Sequence, residues 1–182
     1  LFRSPLEFAD HLGTPLREGL VFAHNCLVGA GLRDRVKIGA SGRIITAFDM
    51  VRVLALGADF CNSARGFMFA LGCIQSMACH TDRCPTGVAT QDKSRARALV
   101  VDDKATRVAQ FHAHTLEALA ELIAAAGVAH PSAITRERIM KRLSPAEVKS
   151  FADLYPELEP GELLRRSEEH TSELQSHLNL VC

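Results

Sequence analysis

The chain has 182 residues, room for one ordinary domain, and 47% of them are hydrophobic, a share typical of soluble globular proteins rather than disordered ones. Its 21 basic and 21 acidic residues cancel, so no excess positive field exists to attract a nucleic-acid backbone or an anionic membrane surface. The longest apolar runs, such as Phe67 to Cys73, fall far short of the roughly 20 residues that span a bilayer, and no charged-then-apolar leader opens the chain, which points to a cytoplasmic protein.

The chain starts at Leu1, inside what reads as ongoing structure, so an N-terminal truncation is expected. At the other end, Arg166 to Ser176 (RSEEHTSELQS) resembles the translation of a common sequencing adapter. Residues 166–182 are therefore set aside as a non-native tail, although a polar helix would suit the same composition.

Thr14 and Pro15 predict a helix start, with Thr as N-cap and Pro at the first helical position. Leu16, Leu20, Ala23 and Leu27 follow at helical spacing, and Gly29 and Gly31 end the segment. Val36 to Ala40 reads as a short buried strand between Arg33-Asp34-Arg35 and Ser41-Gly42. Thr46 to Asp49 has capping-box spacing, and Met50, Val51, Leu54 and Ala55 continue an apolar face as far as Gly57. A second strand is predicted over Ala58 to Asn62, then a turn at Ser63-Ala64-Arg65-Gly66 and a third helix from Phe67 to Leu71. This alternation of helices and strands with short links marks parallel α/β architecture. Two parallel strands cannot bury themselves, so further strands are expected upstream of Leu1.

Beyond Gln91 the pattern turns helical. Asp102 to Ala126 predicts a long helix with Val108, Phe111, Leu116, Leu119 and Ile123 toward a core, ended by Gly127. A capping box at Ser144-Pro145-Ala146-Glu147 predicts a shorter helix carrying Val148, Phe151 and Leu154.

Six cysteines without a secretory leader argue against a disulfide scaffold. Cys73, Cys79 and Cys84 form a Cys-x5-Cys-x4-Cys array in GCIQSMACHTDRCPTG, with Pro85 directly after the last. Three thiolates on one loop suit a [3Fe-4S] cluster, in which each iron takes one protein ligand, and Cys-Pro is also found in bacterial ferredoxin loops. Structural zinc with His80 as fourth ligand is a second reading, and three unligated cysteines a third. Cys26, in the first helix, and Cys61, in the second strand, read as inert buried thiols.

The turns Ala40-Ser41-Gly42-Arg43 and Ser63-Ala64-Arg65-Gly66 each lie between a predicted strand and a helix. Both can offer backbone N–H groups to an anion, as the last two loops of a (β/α)8 barrel do for phosphate, and Arg43 and Arg65 can add charge-assisted contacts. Plain tight turns explain Gly42 and Gly66 equally well. His24, His112 and His114 fall within helices, where packing explains them better than proton transfer, and no hydrolase nucleophile motif occurs.

Together, VKIGASGRIITAFDMVRVLALGADFCNSARGFMFALGCIQSMACHTDRCPTGVATQD closely resembles the C-terminal part of the FMN-binding domain of the glutamate synthase family, from about Pro5 through Gln91. The helices up to Leu164 resemble the extension of stand-alone FMN-binding family members. The resemblance implies that residues 1–91 are the C-terminal part of a (β/α)8 TIM barrel, with its last two strands and a cysteine-rich cluster loop, and that residues 92–165 are a helical extension. It also implies that Ser41, Gly42 and Arg43 with Ser63, Ala64, Arg65 and Gly66 bind the FMN phosphate, and that Cys73, Cys79 and Cys84 hold a [3Fe-4S] cluster.

The function so implied is glutamate biosynthesis: FMN-mediated reductive amination of 2-oxoglutarate to L-glutamate, using ammonia or glutamine-derived nitrogen. Electrons would come from a ferredoxin or a partner flavoprotein through the cluster. An N-methylglutamate synthase flavin subunit fits the same residues, and a non-redox α/β protein with a structural zinc loop is the alternative of a different class. An inosine-phosphate dehydrogenase relative has a comparable phosphate site, but the triple-cysteine loop argues against it. Barrel strands that would contact the flavin ring and the 2-oxoglutarate lie outside these residues, so no catalytic residue is named, and two barrel strands alone are expected to be inactive and prone to aggregate.

Overall fold

Helix α1 (Leu16–Gly29) opens the part of the chain that the computed structural model describes, residues 12–165. Strand β1 (Gly39–Ser41), helix α2 (Ala47–Ala55), strand β2 (Phe60–Asn62) and helix α3 (Ala64–Leu71) follow. Next come α4 (Lys93–Ala96), the long α5 (Val101–Ala125), strands β3 (Met140–Ser144) and β4 (Glu147–Ser150), α6 (Phe151–Leu154) and α7 (Glu162–Arg165). The fold is thus mixed α/β, and its strands form two two-stranded sheets, β1 with β2 and β3 with β4. The adapter-like tail and the Pro5 start of the resemblance lie outside the described residues. No described helix is long and apolar enough to cross a membrane.

The described residues fall into two units, one containing Ser41–Met50 and Ser63–Leu122, the other Thr14–Ala40, Val51–Asn62 and 123–165. In the first unit the Thr46 capping box forms as predicted. Thr46 N–H donates to Asp49 Oδ2 at 3.1 Å and Asp49 N–H donates back to Thr46 Oγ1 at 3.3 Å. Phe67 of α3 meets Phe111 of α5 edge-on, with ring centroids 5.3 Å apart.

Helix α5 keeps the predicted inward face at Val108, Phe111, Leu119 and Ile123 but departs from it at Leu116. Leu116 is 47% exposed, and Thr115 is buried in its place. A buried threonine is tolerated because its hydroxyl donates to the Phe111 carbonyl one turn earlier, at 2.6 Å.

In the second unit α1 starts one residue later than predicted, with Pro15 as N-cap. The first strand is shorter and shifted, and the cause is a side chain. Asp59 Oδ2 accepts the Ile38 N–H at 2.8 Å and Arg33 donates to the Val36 carbonyl at 2.8 Å, so side chains take backbone groups that a ladder would use, while the Ile38 carbonyl accepts the Asp59 N–H at 2.8 Å. Burial acts to raise the Asp59 carboxyl, but the Ile38 N–H, Arg33 and Lys37 outweigh it and hold it below the usual range. The second strand likewise begins only at Phe60, whose ring lies over Gly39 where a Cβ would meet it at 2.6 Å.

The helix predicted from Ser144 is instead a β-hairpin, with Met140 paired to Ser150 and Arg142 to Val148. Two capping-box patterns compete there, Ser144-Pro145-Ala146-Glu147 and Ser150-Phe151-Ala152-Asp153. The second one forms, because it places Phe151 in the core at 2% exposure, edge-on to Tyr155. Ser144 serves the turn, its hydroxyl accepting the Ala146 N–H at 3.3 Å. Residues 92–165 are therefore helical only in part.

Arg136 is, among the described residues, the one charged residue in this unit's core, 4% exposed, and it donates to the carbonyls of Tyr155 (2.7 Å) and Leu56 (3.4 Å) and to Asn25 Oδ1 (3.4 Å). Arg136→Leu strands these buried acceptors and is expected to cost about 3 kcal/mol, read as a lower urea midpoint at unchanged slope. An unmoved midpoint would show that water replaces the guanidinium.

Candidate functional site

Every site residue expected from the sequence lies in the first unit. Ser41 ends β1, and Gly42 (φ 152°) and Arg43 (φ 50°) turn the chain toward α2. Residues Ser63 to Gly66 are not a separate turn: Ser63 is the N-cap of α3, and Ala64, Arg65 and Gly66 are its first turn. This places their N–H groups at a helix start, where they have no intrahelical acceptor. The Ser63 side chain does not cap them. Its hydroxyl instead donates to the Ile44 carbonyl at 2.7 Å, which links the two loops. The positive end of α3 and its free first-turn N–H groups are donors of the kind that bind phosphate.

Gly66 has a packing reason as well. A Cβ there would lie 2.7 Å from both Phe111 Cζ and Ser63 Oγ. The tight-turn explanation thus gives way to close helix packing at the start of α3.

Helix α3 ends at left-handed Gly72, with Cys73 N–H donating to the Met68 carbonyl at 2.9 Å. Cys79 opens a 3-10 turn, Cys79–Thr81. Cys84 is buried at 5% exposure. Burial acts to raise its thiol, but hydrogen bonds from the Thr86 hydroxyl and the backbone of Ala89, Thr86 and Val88 outweigh it and bring it down to about 7. By contrast, burial alone pushes the Cys26 and Cys61 thiols up, as suits inert residues.

The four non-glycine residues with positive φ among those described are Arg43, Gln75, Met77 and Asp82. One lies in the loop after β1 and three in the cysteine loop, and backbone in this sparsely populated region concentrates at functional sites.

Among the described residues no three His, Cys, Asp or Glu side chains are gathered so that one ion could be held. A zinc site built from Cys73, Cys79, Cys84 and His80 requires such a gathering. A [3Fe-4S] cluster does not, because each thiolate takes its own iron and the sulfurs stand around a group several ångströms wide. The donor chemistry fits a cluster: three thiols in one loop, one of them buried with N–H groups directed at its sulfur. The donors at α3 likewise fit a phosphate.

His24 is bound on both ring nitrogens, by Arg33 Nε at 3.1 Å and Glu157 at 2.6 Å, and lies in the second unit. His112 packs against Phe67. Neither is part of the site. What the sequence reading missed is the polar neck of the cysteine loop, Asp82 with Thr90. Its only sequence signal is the density of turn-forming residues around Pro85 and Gly87.

An α/β chain with an uncapped helix start followed by a cysteine-rich loop defines a class, and the comparisons supply its family. Residues 3–129 match the family described as the conserved region in glutamate synthase, and the chain belongs to that family. It is 40% identical over 148 residues to the glutamate synthase large subunit-like protein YerD of Bacillus subtilis, covering 81% of this chain and 28% of the relative. The NADPH glutamate synthase large chain of the same organism is 36% identical over 124 residues, 68% of this chain and 8% of the relative. Ferredoxin-dependent glutamate synthase 2 of Synechocystis is 40% identical over 90 residues, 50% of this chain and 6% of the relative. The chain therefore spans between 6% and 28% of the length of these relatives.

Proposed function

We propose that this chain is part of an FMN and [3Fe-4S] oxidoreductase that reductively aminates 2-oxoglutarate to L-glutamate. The nitrogen comes from ammonia or glutamine, and the electrons from a ferredoxin or a partner flavoprotein. The observation that carries this reading is the adjacency, within one unit, of the uncapped start of α3 and the cysteine loop that leaves its other end. Membership of the glutamate synthase family supports the substrate class, and a relative named for ferredoxin supports the donor.

In this reading β1 and β2 are the last two strands of a (β/α)8 barrel, whose closing loops commonly hold a phosphate. The N–H groups of Ala64, Arg65 and Gly66 bind the FMN phosphate, with Ser41, Gly42 and Arg43 lining the same end and Arg65 adding charge. Cys73, Cys79 and Cys84 each bind one iron. When bound, the cluster would supply single-electron transfer and the flavin hydride chemistry. The protein's part is placement: helix α3 would carry the phosphate donors at its start and the cysteine loop from its end, with Cys84 buried.

Anaerobic reconstitution of the full-length protein with iron, sulfide and FMN tests the proposal. Flavin absorbance bands and a low-temperature EPR signal of an oxidised [3Fe-4S] cluster are expected. Bound zinc with neither signal would replace the redox reading with a structural one.

A further inference from the structure

We infer that Asp82 and Thr90 form a clasp that positions the Cys84 sulfur and its surrounding N–H donors, making both of them positioning residues for the electrochemistry of the cluster. The inference rests on the cluster reading above. It begins from the neck of the loop. Asp82 Oδ1 accepts the Gln91 N–H at 2.5 Å and the Thr90 hydroxyl at 3.1 Å, and that hydroxyl also lies 2.7 Å from the Asp82 carbonyl oxygen. Thr90 Oγ1 in turn accepts the Asp92 N–H at 3.1 Å. One threonine hydroxyl and one carboxylate thus tie both ends of the segment that contains Cys84.

Inside the neck the chain is bent back on itself. Gly87 (φ 77°) donates its N–H to the Cys84 carbonyl at 3.3 Å, and a Cβ on Gly87 would run into the Arg95 carbonyl oxygen. Arg95 holds the other side through the Arg83 carbonyl at 3.4 Å. Asp82 adopts φ 62°, a conformation that aspartate tolerates better than most residues, so its carboxylate turns toward Thr90 without a glycine at the corner.

This geometry has a chemical consequence at the sulfur. The Thr86 hydroxyl lies 3.5 Å from Cys84 Sγ, and hydrogen bonding from the backbone of Thr86, Val88 and Ala89 acts on the same sulfur. Hydrogen bonds to ligand sulfurs are among the determinants of cluster potential, because they withdraw electron density and favour the reduced state. All three N–H donors lie on the far side of Cys84 from Asp82, between it and Thr90. If the neck opens, they are carried away from the sulfur together.

Thr90→Val keeps the shape and removes the hydroxyl, whereas Thr90→Ser restores it. In the full-length reconstituted protein the valine variant is expected to lower the cluster's midpoint potential and to release iron to a chelator about 10–100 times faster, with serine recovering both. Amide exchange across residues 84–91 of the cluster-free protein should rise in the valine variant alone, a readout that needs no cluster. Asp82→Asn, which retains an acceptor and loses the charge, should likewise speed iron release to the chelator, by less, and carries the test if Thr90→Val does not accumulate. A normal cluster with an unchanged potential in these variants overturns the clasp and leaves the cluster reading standing. Failure of the wild-type protein to take up any cluster overturns both.

Discussion

Replacing Cys84 by serine in the full-length protein is expected to remove the [3Fe-4S] EPR signal and, with it, reduction of the flavin by an external single-electron donor, while FMN itself stays bound. Cys84 is the thiol that the loop prepares most thoroughly. It is buried, yet its hydrogen bonds bring it down to about 7, so a large fraction is thiolate at neutral pH and ready to take iron. A serine hydroxyl in the same place keeps its proton and offers a harder oxygen that iron–sulfur chemistry does not favour. Cys79→Ser should have the same outcome. Cys61→Ser is the control: burial pushes that thiol up, it lies outside the loop, and its replacement should leave the signal intact. A signal that persists in Cys84→Ser would remove this residue from the ligand set, and a signal lost equally in Cys61→Ser would point to general unfolding.

The features legible in the sequence are those decided locally. Thr46 and Asp49 cap α2 as their spacing predicts, because both partners lie within one turn. The alternation of strands and helices around the two anion loops was equally readable, as was the cysteine array. Where sequence reasoning failed, burial or a side-chain hydrogen bond outside the local pattern decided the outcome. Asp59 shortens the strand that Val36 begins. Phe151 chooses between two capping boxes that local rules score alike, through its burial. Thr115 takes an inward position reserved for Leu116 because the helix backbone satisfies its hydroxyl.

The cysteine loop combines both cases. Its spacing drew attention to the three cysteines, but no glycine marks the left-handed residues Gln75, Met77 and Asp82, and the bond between Asp82 and Thr90 spans a segment that no periodicity describes. Chemistry written in residue type is visible early; chemistry written in backbone conformation is not.

Gly66→Val tests the anion site by the same logic of close approach. The added Cβ alone would stand 2.7 Å from Phe111 Cζ and from Ser63 Oγ, and valine brings two further methyl groups. Phe111 is held edge-on by Phe67, and Ser63 is held by its bond to the Ile44 carbonyl, so neither can yield without loosening something else. The expected cost in stability is about 1–3 kcal/mol from overpacking. The larger effect falls on the cofactor. If the first turn of α3 tilts away, the FMN phosphate loses one or two charge-assisted hydrogen bonds, and FMN affinity should fall about 100-fold. Riboflavin, which lacks the phosphate, separates the causes. Titrations followed by flavin fluorescence should show FMN binding weakened in the variant and the weaker riboflavin binding nearly unchanged. Equal losses for both ligands would mean that Gly66 serves the packing of α3 against α5 alone, and the phosphate would then have to be held elsewhere.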